Sequence, residues 1–170
     1  MQALMFDLFV VSGCFWLLRP IAIIICSTQF DRNCMGHLKR AANASTVELA
    51  ARELSVALRY LQTNGLTRGY TSVFYKTPDE DIGHWYRNLK GALAELEDTR
   101  PDAPAAERNS LLLKLRGTIL DRGSNGGDQV TVPEGISLYP HNALFGLWGV
   151  VSFVLLIVFM IAAIITPYGV

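Results

Sequence analysis

The hydrophobic and polar positions divide the chain into three stretches. Leu8 to Cys26 reads LFVVSGCFWLLRPIAIIIC, an apolar run interrupted at Arg19 and Pro20. Ala143 to Thr166 reads ALFGLWGVVSFVLLIVFMIAAIIT and holds no ionisable residue. At about 1.5 Å of rise per residue, about 20 apolar residues cross a hydrocarbon core of about 30 Å. Both ends therefore predict membrane spans. A buried helix of a soluble protein seldom runs as long as the second stretch without a polar face. Trp148 near one end, with Tyr139 and Tyr168 just outside, suits the preference of amphipathic aromatics for membrane interfaces.

The first span is less regular. A secretory signal peptide is one alternative, but the segment before it has no Lys or Arg, Asp7 is acidic, and no small-x-small cleavage site follows closely. A re-entrant helix broken at Arg19-Pro20 is the other. The reading adopted is a spanning helix kinked at that pair, since Pro20 removes the hydrogen bond to the Trp16 carbonyl.

The middle stretch carries helical punctuation. Ser45-Thr46-Val47-Glu48 fits a capping box, and Val47, Ala51, Leu54, Leu58 and Leu61 recur at a helical period up to Asn64-Gly65. This predicts a helix from about Thr46 to Thr63. Thr77-Pro78-Asp79-Glu80 fits a second box, followed by Ile82, Trp85, Leu89, Leu93 and Leu96, and predicts a helix ending near Asp98. Leu111, Leu112, Leu115 and Ile119 predict a third, from about Ala105 to Asp121, stopped by Gly123. Tyr70 to Tyr75 reads as one strand or an aromatic connector, and Gln129 to Val132 as a short strand or hairpin arm. The predicted fold class is mainly α, with two transmembrane helices flanking a small helical soluble domain. Residues 1–26 form the first span, 27–142 the domain of about three helices, and 143–170 the second span and tail.

Charge sharpens this division. Every Lys and Arg except Arg19 lies between Arg32 and Arg122, and every Asp and Glu except Asp7 between Asp31 and Glu134. Formal net charge is zero, which points to no nucleic acid or polyanionic partner. Arg32, Lys39 and Arg40 follow the first span closely, and the tails beyond the spans carry no Lys or Arg. The positive-inside rule then predicts a cytoplasmic domain with both termini outside. The three cysteines, Cys14, Cys26 and Cys34, form no secreted-type disulfide framework. The sequon Asn43-Ala44-Ser45 has a local use instead, at the start of a helix. The stretches TPDEDIGHWYRNL and GISLYPHN resemble parts of small two-span bacterial proteins. That likeness implies no function; the expected location is a bacterial inner membrane.

Candidate chemistry is sparse. Glu80 and His84 stand four apart, as two ligands on one helix face would, but capping and dipole compensation, with a solvated His84, explain the acidic cluster Asp79-Glu80-Asp81 better. Cys34 and His37 have half of a zinc spacing, and only His84 and His141 could join them from afar. Gly123, Gly126 and Gly127 lack the Lys-Ser/Thr ending of a phosphate loop and read as a connector. No metal or other cofactor is expected. Trp85 and Tyr86, with Tyr70, Phe74 and Tyr75, concentrate aromatic surface that serves a core or a docking face. Arg19 is the most informative polar residue, because a guanidinium at a helix centre in hydrocarbon costs roughly 2.5–3.5 kcal/mol on insertion scales. Asp7 is twelve positions away, about 18 Å along a helix, and cannot readily offset it. The expected function is a non-catalytic accessory subunit of a larger membrane complex. Its partners would be other membrane subunits and the bilayer, with Arg19, Trp85 and Tyr86 as contact residues. A membrane-anchored regulator is the alternative, and an enzyme or metal site at Glu80 and His84 the third.

Overall fold

The computed structural model describes residues 18–73, 76–100, 102–122 and 126–165, with positions 122, 159 and 162–165 as backbone alone. Five helices in chain order dominate: α1 (residues 18–42), α2 (Val47–Thr63), α3 (Ile82–Glu97), α4 (Ala105–Ile119) and α5 (Asn142–Ile165). The mainly helical expectation therefore holds.

No helix among the described residues is long and apolar enough to cross a membrane. In α5 the uninterrupted run described with side chains ends at Val158, while the backbone helix continues to Ile165. The described residues thus support the helical part of the expectation and not the membrane crossing.

α1 was not foreseen beyond Cys26. It continues through a π-helical turn, Asp31–Met35, and a final α segment, Gly36–Ala42. The extra residue in the π turn rotates the helix face. Phe30 and Cys34 before and within it, and Leu38, Ala41 and Ala42 after it, all reach the core. Residues 18–30 are helical with no break at Arg19 or Pro20. A kink there would involve the segment before Leu18, which lies outside the described residues, as do Cys14, Asp7 and Trp16.

The start of α2 differs in detail from the capping-box reading. Thr46, with extended backbone, is the cap, and its hydroxyl accepts from the Leu49 N–H at 3.2 Å. Ser45 stands one position too early. Asn43, the sequon residue, ends α1 by donating from its side chain to the Lys39 carbonyl.

The predicted helix from Pro78 is two elements. Pro78–Glu80 forms a 3₁₀ turn closed by the Thr77/Glu80 box. Asp81 then takes extended backbone, with ψ of 97°, and its carboxylate accepts from the His84 N–H at 3.0 Å to start α3. The break arises because Asp81 caps the longer helix and so cannot lie inside a helix begun at Pro78. Of the Tyr70–Tyr75 segment, Tyr70 makes one isolated bridge to Asp81; Phe74 and Tyr75 lie outside the described residues.

α4 stops at Ile119, two residues short of the expectation, because Leu120–Arg122 is a strand (β1) paired antiparallel with Asp128–Val130 (β2). Arg116 and Asp128 form an ion pair beside it. Gly123, the expected helix stop, lies outside the described residues, and Gly126 enters β2 with φ of +75°.

The core joins Leu38, Leu54, Leu61, Ile82, Leu89, Leu115 and Ile119. Ile136 closes it beneath a second 3₁₀ turn, Ile136–Leu138. Glu53 is the charged exception, only 5% exposed. His37 Nδ1 lies 2.7 Å from its Oε2, and Arg40 approaches Oε1 at 3.1 Å, so α1 and α2 are tied by charge as well as packing.

The His37 hydrogen bond, opposed by burial and aided by Arg40 and Arg52, holds the Glu53 carboxyl below its ordinary range. A depressed carboxylate contributes stability above its unfolded pKa and loses it as pH falls through the folded value. Glu53→Gln should therefore cost about 1–3 kcal/mol at neutral pH. The gap to wild type should close on acidification below about pH 4, as thermal melts would show. A gap constant with pH would contradict the pairing.

Candidate functional site

α1 and α5 run antiparallel and meet at two polar points. Ser27 Oγ lies 3.3 Å from Ser137 Oγ, just before α5 begins. An equal step along both chains leads to the second point, where Arg19 Nε donates to the Phe145 carbonyl at 3.0 Å. Gly149 makes this approach feasible, since a β-carbon there would lie only 3.0–3.2 Å from the guanidinium atoms. Phe145, Trp148, Gly149 and Ser152 form the α1-facing stripe, and Phe145 and Trp148 stack at 6.1 Å.

The sequence singles out Arg19, leaves Asp7 out of its reach and points to other membrane subunits as its contacts. The acceptor seen is Phe145, 126 positions away on the other terminal helix. No sequence signal linked the two; the signal available was Gly149, a small residue one turn beyond Phe145. Asn142 was also missed. Its side-chain amide donates to the Thr71 carbonyl at 2.7 Å and to Gly135 at 3.1 Å, which fixes the start of α5 to the domain.

Outside this stripe both helices are apolar and exposed. Leu18, Ile21, Ile24 and Ile25 on α1, and Leu144, Leu147, Val150, Phe153, Val154, Val158, Met160 and Ile161 on α5, are each at least half exposed. Contiguous apolar surface on this scale marks an interface with a membrane or another protein.

The paired tether predicts a cross-link. Ser27→Cys with Ser137→Cys should oxidise to a disulfide, given the 3.3 Å separation of the native oxygens. Arg19→Leu should lower the yield by freeing α5 from α1. Unchanged yield would mean that Arg19 does not hold the helices together.

The remaining candidates do not assemble into a reactive centre. Glu80 is committed to the Thr77 hydroxyl at 2.9 Å, in the 3₁₀ turn rather than on the helix of His84. The expected shared helix face is therefore absent. Asn88 donates to His84 Nε2 at 3.1 Å. These residues border a cleft of about 620 Å³ with Asp79, Asp121 and Glu134. Burial pushes the Cys34 thiol up to about 12, far from the thiolate a metal or a substrate needs, and His37 turns to Glu53. Among the described residues no group of three His, Cys, Asp or Glu side chains is placed to hold a metal.

Trp85 and Tyr86 are half-buried against the core. The Trp85 indole donates to the Thr131 carbonyl at 3.0 Å, tying α3 to the segment after β2, and Gln62 donates to the Tyr86 hydroxyl at 2.7 Å. Their inner faces are packing and their outer edges are free. No protein-family model, curated protein or solved structure matches this chain.

Proposed function

We propose that the chain is a membrane-embedded, non-catalytic accessory subunit of a larger complex. α1 and α5 would span the bilayer side by side and hold the helical domain at its surface. The observation that carries this reading is the exposed apolar surface of the two tethered helices. α5 has 24 backbone residues, and about 20 are enough for a hydrocarbon core. The Arg19–Phe145 contact lies between the helices and the Ser27–Ser137 contact at the turn before α5, leaving apolar side chains for lipid.

Two kinds of contact would join the subunit to its complex. Within the bilayer, the Arg19 Nη groups make no hydrogen bond among the described residues and are offered to a carbonyl or carboxylate of a neighbour. On the domain, Trp85 borders the acidic cleft and Tyr86 follows it on α3. By the positive-inside rule, Arg32, Lys39 and Arg40 support a cytoplasmic domain; the membrane would be a bacterial inner membrane.

Purification from the native membrane in mild detergent tests the subunit reading. Stoichiometric membrane partners are expected, with recovery reduced in Arg19→Leu. A chain recovered alone would contradict it. The acidic cleft favours a second reading, a membrane-anchored regulator that binds a cationic cytosolic partner; partners that appear only with a ligand would select it. For topology, an impermeant reagent outside intact cells should not label a residue placed near Gly126, and labelling there would reverse the orientation.

A further inference from the structure

A second cavity, of about 250 Å³, lies where the two terminal helices meet the domain. It stands at the level of the Ser27–Ser137 contact, and exposed Ile25 of α1 lies one turn before its lining residue Gln29. On the membrane reading this is the boundary between hydrocarbon and headgroups.

The rings of Phe30, Tyr60 and Tyr139 line the cavity, with Asn64 at the end of α2. Phe30 and Tyr60 pack edge to face at 6.2 Å. Gln29 and His141 stand on the exposed side, and no hydrogen bond of either side chain falls among the described residues. Among the described residues, no Asp, Glu, Lys or Arg lines the cavity.

These features select a ligand chemistry. A charge-free lining suits a ligand of zero net charge. Aromatic rings attract an ammonium, and the carboxyl end of a helix carries partial negative charge that does the same. An amide and an imidazole on the opposite side can donate to a phosphate. The volume is below the roughly 300–1,000 Å³ of drug-sized sites, so a headgroup would fill it and acyl chains would stay outside.

We infer that this cavity binds the zwitterionic headgroup of an ammonium-bearing phospholipid. The ammonium sits among Phe30, Tyr60 and Tyr139, the phosphate faces Gln29 and His141, and the acyl chains descend over Ile25. The inference rests on the membrane reading.

The test uses the full chain, delipidated in mild detergent and offered vesicle-derived phosphatidylethanolamine or phosphatidylglycerol, with bound lipid counted by native mass spectrometry. Wild type should hold phosphatidylethanolamine about tenfold more tightly than phosphatidylglycerol, the scale of a desolvated cation–π contact. Tyr60→Leu should lose that preference, and Tyr60→Phe, which keeps a ring, should retain it. The exposed double variant Gln29→Leu/His141→Leu should weaken both lipids without disturbing the fold. Equal retention of the two lipids by wild type, or an unchanged preference in Tyr60→Leu, overturns the inference. Soluble phosphoethanolamine binding as tightly as the lipid would overturn the lipid source. Alkaline carbonate extraction separates the two levels: release from the membrane defeats the membrane reading and this inference with it. Retention with equal lipid binding defeats the inference alone.

Discussion

Replacing Val154 and Ile157 of α5 by arginine is expected to abolish membrane insertion of that helix. Both side chains are exposed, at 52% and 39%, and both lie away from the stripe that meets α1. Val154 is twelve positions beyond Asn142, about 18 Å into the helix, which under the proposed membrane reading falls near the middle of the bilayer. A central arginine costs roughly 2.5–3.5 kcal/mol on insertion scales, so the pair costs about 5–7 kcal/mol. Nothing in α5 offsets this, since it has no acidic residue of its own. Membrane fractionation would show the variant's carboxyl terminus accessible on the domain side, or the protein degraded. Normal insertion of the double variant would mean that this face of α5 does not meet lipid.

Leu54→Ala is expected to cost about 2–5 kcal/mol of stability. Leu54 is fully buried on α2, in the cluster that joins all of α1 to α4. Truncation removes its transfer free energy and leaves a cavity. Other members of the same cluster, Leu38, Leu61 and Ile82, are themselves fully buried, so the core has little freedom to collapse into it. Trp85→Ala, by contrast, acts on a half-buried side chain and should fall at or below the low end of its usual range of about 3–5 kcal/mol. Thermal or denaturant unfolding followed by circular dichroism would rank the two. A Leu54→Ala loss below about 1 kcal/mol, the surface range, would contradict the packing described.

The parts of the fold legible in the sequence are those fixed by local periodicity. α2, α3 and α4 each announce themselves through apolar residues three and four apart, and Leu54, Leu58, Leu61, Ile82, Leu89, Leu115 and Ile119 are buried as their spacing requires. The continuation of α1 was hidden. Its buried positions, Phe30, Cys34, Leu38, Ala41 and Ala42, do recur three and four apart, but the continuous apolar run ends at Cys26, two of the five are alanines, and Arg32, Asn33, Lys39 and Arg40 on the exposed face make the segment read as polar. β1 was read as helix because its partner, Asp128–Val130, is a tertiary neighbour that local pattern does not encode. The same holds at the candidate site. An arginine in an apolar run is conspicuous, but its acceptor is a backbone carbonyl, which every residue carries. Only the fold selects Phe145, and only the missing side chain of Gly149 lets the guanidinium approach it.

The central claim is that α1 and α5 lie across a bilayer with the domain outside it. A nitroxide at Val154, in a chain with its native cysteines replaced by alanine and reconstituted in lipid nanodiscs, tests this by collision with molecular oxygen and with a water-soluble nickel chelate. The account predicts high oxygen and negligible nickel accessibility at Val154, and the reverse at Leu113, which projects from α4 at 70% exposure. Nickel accessibility at Val154 as high as at Leu113 would place α5 in water and contradict it.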